Sequence, residues 1–522
     1  MQIVALILWM IVFTKKLFLW IWLWQLKEYH IGRFKAHFHT EKGKKLIRAK
    51  IVFLKLFVLI GLFFRTILFS YLTVIVFFGE ALFVFFALFR KKFLMPVITK
   101  KTFLILSLGI IFEIVFGSLV LLSPIAQRFF YHCLITLDLL APLFVSGLVL
   151  SVEPIAISWR KKIIAKATDK RNKFKDLIVV GITGSYGKTS TKEFLADILS
   201  EKFRVLRTKE HQNSEVGISQ CILNDLSKSH QIFVCEMGAY NQGGIKLLAK
   251  IAKPKIGILT GINQQHLATF GSLESIIKTK YELIESLPPD GLAVFNGNNQ
   301  YCRDLFEKTK ISKKMTNRDI WAEDIEVGKD FISFKVLTKN SQSKFKINLL
   351  GKHWIDNILM AILVAQEMGM SLEEISMACR KIKPLKRGME LIKIKGFNIV
   401  DATYSANPDG VLAHLDYLKV WKGKKAIVMP CLIELGPEAD AVHKRIGEEI
   451  ANVCDLAIIT TKDYFDSIKR GAIEKGMQEK RILFLERSQD IFEKLQSFDG
   501  REDVILLESR VPKELYRAFG LL

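Results

Sequence analysis

Residues 176–201 read DLIVVGITGSYGKTSTKEFLADILSE. The run DLIVV is continuously apolar, as in a strand buried on both faces, and KEFLADILSE has the spacing of a helix. GITGSYGKTST (181–191) therefore sits on a strand-to-helix turn, where a phosphate-binding loop belongs. Glycines let backbone N–H groups turn toward phosphate oxygens, and the helix N-terminus adds its positive dipole end. Ile182 occupies the place of the first glycine of G-x-x-x-x-G-K-[ST], so the loop follows the shorter T-G-x-x-G-K-T-[ST] form. Its members are Thr183, Gly184, Ser185, Gly187, Lys188, Thr189 and Ser190. Lys188 is expected at the β/γ-phosphates and Thr189 at magnesium. The pattern points to ATP and is silent about the reaction.

Downstream, QIFVCEM, KIGILTGI and GLAVFNG are further apolar strands separated by amphipathic helices, which predicts a parallel sheet covered on both sides. Residues 318–350 alternate with period two (DFISFKVL, KFKINLL), as in an antiparallel insert. After Pro384 a second α/β set begins with FNIVDA, KAIVMP, DLAIIT, RILFLE and DVILLES. The expected order is a membrane α-helical segment at 1–155, a basic linker at 156–175, a parallel-sheet P-loop domain at 176–385 and a Rossmann-like α/β domain at 386–522.

The chain of 522 residues carries a formal charge of +24. The surplus is local. Residues 1–175 hold 26 Lys and Arg against 7 Asp and Glu, whereas 176–522 hold 50 against 45. Nucleic acid is therefore not an expected partner. The seven cysteines are scattered without C-x-x-C or a His/Cys cluster, which argues for reduced thiols and against a zinc site.

Four apolar tracts lie near 1–24, 51–89, 103–123 and 131–152. A crossing helix needs about 20 apolar residues, and 51–89 is long enough for two with a turn near Ser70, giving five spans. The first tract lacks a charged n-region and a cleavage site, so it reads as an anchor. Loops 25–50 and 90–102 and the stretch 156–175 are rich in Lys and Arg, and 124–130 is not. The positive-inside rule then places the loops at 25–50 and 90–102, and everything after 152, in the cytoplasm. The protein is expected in the inner membrane as a multi-pass protein, with membrane lipids against its basic loops. Glu80, Glu113 and Asp138 within the tracts are either functional or paired with cations such as Lys55 or Arg65. Lys15 and Lys16 fit the first span poorly.

TGSYGKTST, HQNSEVG, EMGAYNQGG, TGINQQHLATFGS and TKYELIE occur in the order and spacing of the Mur ligase central domain, which the chain resembles from about 176 to 510. GKHWIDNILMA, DATYSANPDG and IELGPEADAVH look like the branch of that family that adds D-alanyl-D-alanine to a muramyl tripeptide. The resemblance implies residue roles. Glu236 and His266 would hold magnesium with Thr189. Lys280 would be carbamylated to ligate a second ion, with Glu282 in support. Asn213 and Glu215 would lie on the substrate side, with Ser214 standing where the family more often has Asn. His353 and Asn357 would approach adenine. Arg387, Asp401, Tyr404, Asn407 and Pro408 would face the nucleotide, and His443 and Arg510 would lie near substrate. Taken alone, the residues admit plainer readings: a capping carboxylate at Glu236, a structural histidine at His266, a solvated lysine at Lys280, an Asn-Pro turn at Asn407.

Two departures stand out. The family's Lys-Gly-Ser-Arg reads Leu507-Glu508-Ser509-Arg510, and the segment that grips the UDP-sugar is replaced by the apolar region. The implied reaction is ATP-dependent amide formation in peptidoglycan precursor synthesis. Lys188, Glu236, His266 and Lys280 would be catalytic, through an acyl phosphate and with two magnesium ions. The expected partners are UDP-muramyl-tripeptide or a lipid-linked precursor, and D-alanyl-D-alanine. A Mur-type ligase with another acceptor, a P-loop-driven transporter and a non-catalytic membrane scaffold remain as alternatives.

Overall fold

The computed structural model describes residues 1–38, 40–90, 93–210, 212–263, 267–384, 386, 388–404, 407–433 and 435–521. They form two compact units, Met1–Lys162 and Ile163–Leu522.

The first unit is helical: α1 (Gln2–Leu26), α2 (Lys50–Phe64), α3 (Thr66–Phe89), α4 (Lys100–Leu122) and the start of α5 (Phe130–Asn172). Among the described residues, α1, α3, α4 and α5 are long and apolar enough to cross a membrane by length and composition. The 51–89 tract divides at Arg65 rather than near Ser70, into unequal parts of 15 and 24 residues. At 1.5 Å per residue α2 is about 22 Å long, short of a hydrocarbon core of about 30 Å. It folds back on α3, with Phe57 meeting Phe69 at 5.5 Å and Lys55 pairing with Glu80. Residues 156–172, expected as a linker, are instead the last turns of the 43-residue α5.

The buried acids of this unit have partners. Asp138 Oδ2 takes Lys16 Nζ at 2.7 Å and Lys55 Nζ at 2.5 Å. Glu113 accepts from Thr14 Oγ1 at 3.0 and 3.2 Å.

The second unit begins inside α5. Ala167 is fully buried in its core, and the buried Arg171 donates to Ala252 O, Phe174 O and Leu177 O at 2.9, 2.6 and 3.2 Å. Six parallel strands follow in the order β2-β3-β1-β4-β5-β6: β1 (Ile178–Thr183), β2 (Val205–Arg207), β3 (Ile232–Glu236), β4 (Ile256–Leu259), β5 (Leu292–Phe295) and β6 (Ser312–Met315). Helix α6 (Lys188–Leu199) leaves β1, and α7 (Glu215–Asn224) and α8 (Leu273–Glu285) lie farther along the chain. β7 (Ile320–Val327), β8 (Ile332–Thr338) and β9 (Gln342–Ile347) make the antiparallel insert, and α9 (Ile355–Glu367) packs beside α6.

A second sheet, order β10-β11-β15-β12-β13-β14, comprises β10 (Glu390–Ile394), β11 (Phe397–Ala402), β12 (Lys425–Met429), β13 (Leu456–Ile459), β14 (Ile482–Phe484) and β15 (Val504–Glu508). It is parallel except for β10. α10 (Pro408–Leu418) and α11 (Ala439–Val453) cover it. One apolar core runs from β1, α6 and α9 through β8 to β11, β12 and β15.

Candidate active site

β1 lies between β3 and β4, where the strand order reverses, so the carboxyl ends of these three strands open onto one crevice. The β1–α6 loop rises there. Gly184 has φ +155°, and a Cβ at that position would stand 2.2 Å from Thr260 Oγ1. Gly187 caps α6 at φ +76°, with a Cβ position 2.6 Å from Asn357 Oδ1. Both positions demand glycine, by backbone conformation and by space. Thr260, after β4, holds the loop by donating to Tyr186 O and, at 3.2 Å, to Thr183 O. Ser185 Oγ accepts from Asn263 N at 3.2 Å. Thr183 Oγ1 is spent on Met237 O at 2.9 Å, so this side chain ties β1 to the end of β3. Ser190 is buried in the first turn of α6.

Lys188 Nζ arches back to Gly184 O and Ser185 O, at 2.8 and 3.1 Å. Burial lowers its pKa, and Glu236 opposes the shift. Glu236, at the end of β3, accepts from Thr189 Oγ1 on Oε2 and from Asn213 Nδ2 on Oε1, both at 3.0 Å. Ser214 caps α7, accepting from Gly217 N, and Glu215 opens the same helix. Lys192, fully buried, reaches Glu236 Oε2 at 3.7 Å. Oxygen donors on Thr189 and Glu236, side by side, suit a hard divalent cation.

Lys280 on α8 is 3% exposed and makes one long hydrogen bond, 3.4 Å to Ala239 O. Burial, then the charge of Lys188, brings its pKa down to about 7 against the pull of Glu282. An amine that is partly neutral at that pH is the form that takes up carbon dioxide. Glu282 is also engaged by backbone groups. Its carboxylate accepts from Gly243 N and Lys246 N at 2.6 and 2.9 Å and caps the following helix, Gly244–Ala252. His266 and Arg387 lie outside the described residues.

The second domain meets the crevice through the β11–α10 loop. Tyr404 hydrogen-bonds Thr189, and burial and Glu236 raise its pKa. Asp401 is buried and braces the loop, accepting from Thr403 N at 3.1 Å and Tyr516 OH at 2.9 Å. Asn407 caps α10 by accepting from Gly410 N at 3.0 Å, with Pro408 at the first helical position. Asp409 accepts from Asn263 Nδ2 at 2.7 Å and pins the two domains. Asn357 faces the phosphate loop, and His353 lines a neighbouring cavity of about 320 Å³.

His443 is fully buried, accepts from Leu432 N at 2.8 Å, donates to Ala439 O at 2.6 Å and stacks on Tyr464, so both ring nitrogens are engaged by the chain. Arg510 is exposed just past β15. Sequence reading missed that Thr260 holds the loop and that Asn296 Nδ2 in turn donates to Thr260 O at 2.8 Å. The only signal for Thr260 was its place in TGIN after an apolar strand.

Residues 182–365 match the Mur ligase middle domain and 387–510 the Mur ligase glutamate ligase domain. Neither match reaches the helical first unit. The chain is 28% identical over 335 residues to the Bacillus subtilis UDP-N-acetylmuramoyl-tripeptide–D-alanyl-D-alanine ligase, covering 63% of this chain and 72% of that protein. It is 30% identical over 319 residues to the Mycobacterium bovis enzyme of the same name, covering 58% of this chain and 62% of that protein, less than two thirds of its length. Among solved structures, MurF from Acinetobacter baumannii superposes with TM-score 0.63 at 25% identity, covering 69% of this chain and 79% of that one. MurF ligase from Thermotoga maritima in complex with ADP gives 0.62 at 26%, covering 69% and 83%.

Proposed function

The chain belongs to the Mur ligase family over residues 182–365 and 387–510, and from that premise we propose an ATP-dependent C–N ligase of peptidoglycan precursor synthesis, held in a membrane by its first unit. The reaction joins D-alanyl-D-alanine to the free carboxylate of a muramyl tripeptide, the activity named for its relatives. The observation that carries the reading is the convergence of Lys188, Thr189, Glu236 and Asn213 at the carboxyl ends of β1 and β3.

ATP with magnesium supplies the phosphoryl group that activates the carboxylate as an acyl phosphate, with phosphate as the later leaving group. Glycine-lined N–H groups of 184–188 bind the phosphates, and Lys188 turns from its loop carbonyls to meet them. Thr189 and Glu236 would hold the metal, and Lys280, as a carbamate, would give a further oxygen ligand. Tyr404 and the Asn263–Asp409 contact bring the second domain over the site, where water is excluded. His353, Asn357 and the adjoining cavity receive the base. Glu215 lies on the acceptor side.

The first unit exposes large side chains over α2, α3 and α4, among them Phe64, Phe89 and Leu122, each at least 80% exposed. Lipid is the medium that suits such a surface. The Lys- and Arg-rich loops 25–50 and 90–102 support a cytoplasmic ligase part in an inner-membrane protein.

The test is a ligation assay in mild detergent with ATP, magnesium, UDP-muramyl-tripeptide and D-alanyl-D-alanine. The expected product is heavier than the tripeptide acceptor by the dipeptide less water, and Lys188→Ala removes it. A lipid-linked acceptor is a second reading, favoured by the apolar unit that precedes the matched domains. Equal rates on UDP-linked and lipid-linked acceptors would exclude it.

A further inference from the structure

Glu508 is fully buried at the carboxyl end of β15, where the family pattern has glycine. Its Oε2 lies 2.6 Å from His414 Nδ1 on α10, and its Oε1 is buried without a hydrogen-bond partner. The anion therefore faces neither solvent nor an exposed acceptor surface. A carboxyl group in such a place is held by its one hydrogen-bond partner, and removing that partner leaves a buried polar group unpaired.

The His414 ring meets the His353 ring edge-on, with centroids 5.2 Å apart. His353 stands in the Lys352–Trp354 turn of the other domain, and both its ring nitrogens are buried with no hydrogen-bond partner. Burial and His414 hold its pKa well below the usual histidine range, so the ring is neutral, with one donor and one acceptor. It lines the 320 Å³ cavity with Asn298, Asn317, Asp356, Ala413 and Asp416. A planar heterocycle with donors and acceptors along its edge, such as a purine, complements that wall. Glu508, His414 and His353 thus form a line from the centre of the second sheet, across the seam between the domains, to the cavity.

We propose that Glu508 is a positioning residue for nucleotide binding, acting through His414 to set the His353 ring at the wall of the base cavity. The proposal rests on the nucleotide reading of the phosphate loop. It assigns to the Glu508 departure a role in holding the base, away from the incoming dipeptide.

The experiment measures calorimetric binding of ADP and of inorganic pyrophosphate to the full chain in detergent. The proteins are wild type, Glu508→Gln, His414→Gln and the double variant. In Glu508→Gln the Kd for ADP is expected to rise about tenfold, equivalent to the loss of one charge-assisted hydrogen bond. The double variant is expected to be no worse than either single one, and pyrophosphate, which has no base, to bind within about twofold of wild type. Glu508→Asp, which keeps the charge, is expected to recover part of the loss. If Glu508→Gln does not fold, His414→Gln carries the same comparison. Unchanged ADP affinity in the variants would overturn the proposal while leaving the nucleotide reading in place. Equal losses for ADP and pyrophosphate would overturn it as well, since the damage would then be general. A wild-type protein that binds neither ligand would overturn both readings.

Discussion

The two units bury lysines and carboxylates in opposite ways. In the first, Lys16 of α1, Lys55 of α2, Glu80 of α3 and Asp138 of α5 pair with one another, one residue from each helix. In the second, Lys188 rests on its own loop carbonyls, Lys280 has one long contact, and Glu236 is held by neutral Thr189 and Asn213 with Lys192 farther off at 3.7 Å. Charge buried without full compensation is costly. A cluster that neutralises itself is closed and serves to hold helices in register. A cluster in which two lysines, Lys188 and Lys280, have no ion-pair partner among the described residues is open, and its cost is offset only when phosphate and metal arrive. The same residue types therefore lock one unit and arm the other.

The sharpest break of that comparison is Asp138→Ala. It leaves Lys16 and Lys55 buried without their shared anion and is expected to destabilise the first unit by about 3–5 kcal/mol. Unfolding in detergent reads it, and Asp138→Ala with Lys55→Met should recover much of the loss. If Asp138→Ala is neutral, the cluster is not a lock. Lys188→Ala tests the opposite case. Ligation should fall at least a hundredfold, about 3 kcal/mol of transition-state stabilisation, with unfolding unchanged because no partner loses its charge. A matching loss of stability would make Lys188 structural.

A smaller effect separates capping from nucleotide contact at Asn407. Asn407→Ala should cost about 1 kcal/mol of stability, the usual value of a helix N-cap, measured by thermal unfolding. The smallest signal is a slope. His443 is buried neutral with its pKa lowered by desolvation, so the unfolded chain binds the proton more readily. Its contribution is present above the ordinary histidine pKa and is lost as pH falls below it. The wild-type unfolding temperature should therefore fall more steeply than that of His443→Gln on going from about pH 7.5 to 5.5. Parallel curves would show that His443 does not titrate differently in the folded state.

The central strands of both sheets were legible because strands buried on both faces must be continuously apolar. The edges were not. β2 is three residues long, and β6 reads Ser-Lys-Lys-Met, since an edge strand has one side free and needs no apolar run. The break at Arg65 was marked only by that charge and Thr66 in an otherwise apolar stretch. The backbone partners of Glu282 and His443 were not legible, for a common reason. A carboxylate or imidazole near a motif has the same letter whether its hydrogen bonds go to a ligand or to the chain. The pairing of Glu508 with His414 was not legible either, because its partner lies 94 positions away in the chain.

The sequence by itself determined the phosphate loop, the two parallel sheets, the order of the domains and the apolar, basic first unit. These depend on local pattern: glycine where the backbone needs it, apolar runs where both faces are covered, charge where water is near. The tertiary structure alone decided which polar side chains are spent and which are left free. It paired Asp138 with Lys16 and Lys55, turned Glu282 into a cap, closed His443 on two backbone groups and left Lys188 and Lys280 without an ion-pair partner among the described residues. That choice turns on which groups from distant segments come within about 3 Å of one another, and no local spacing encodes it.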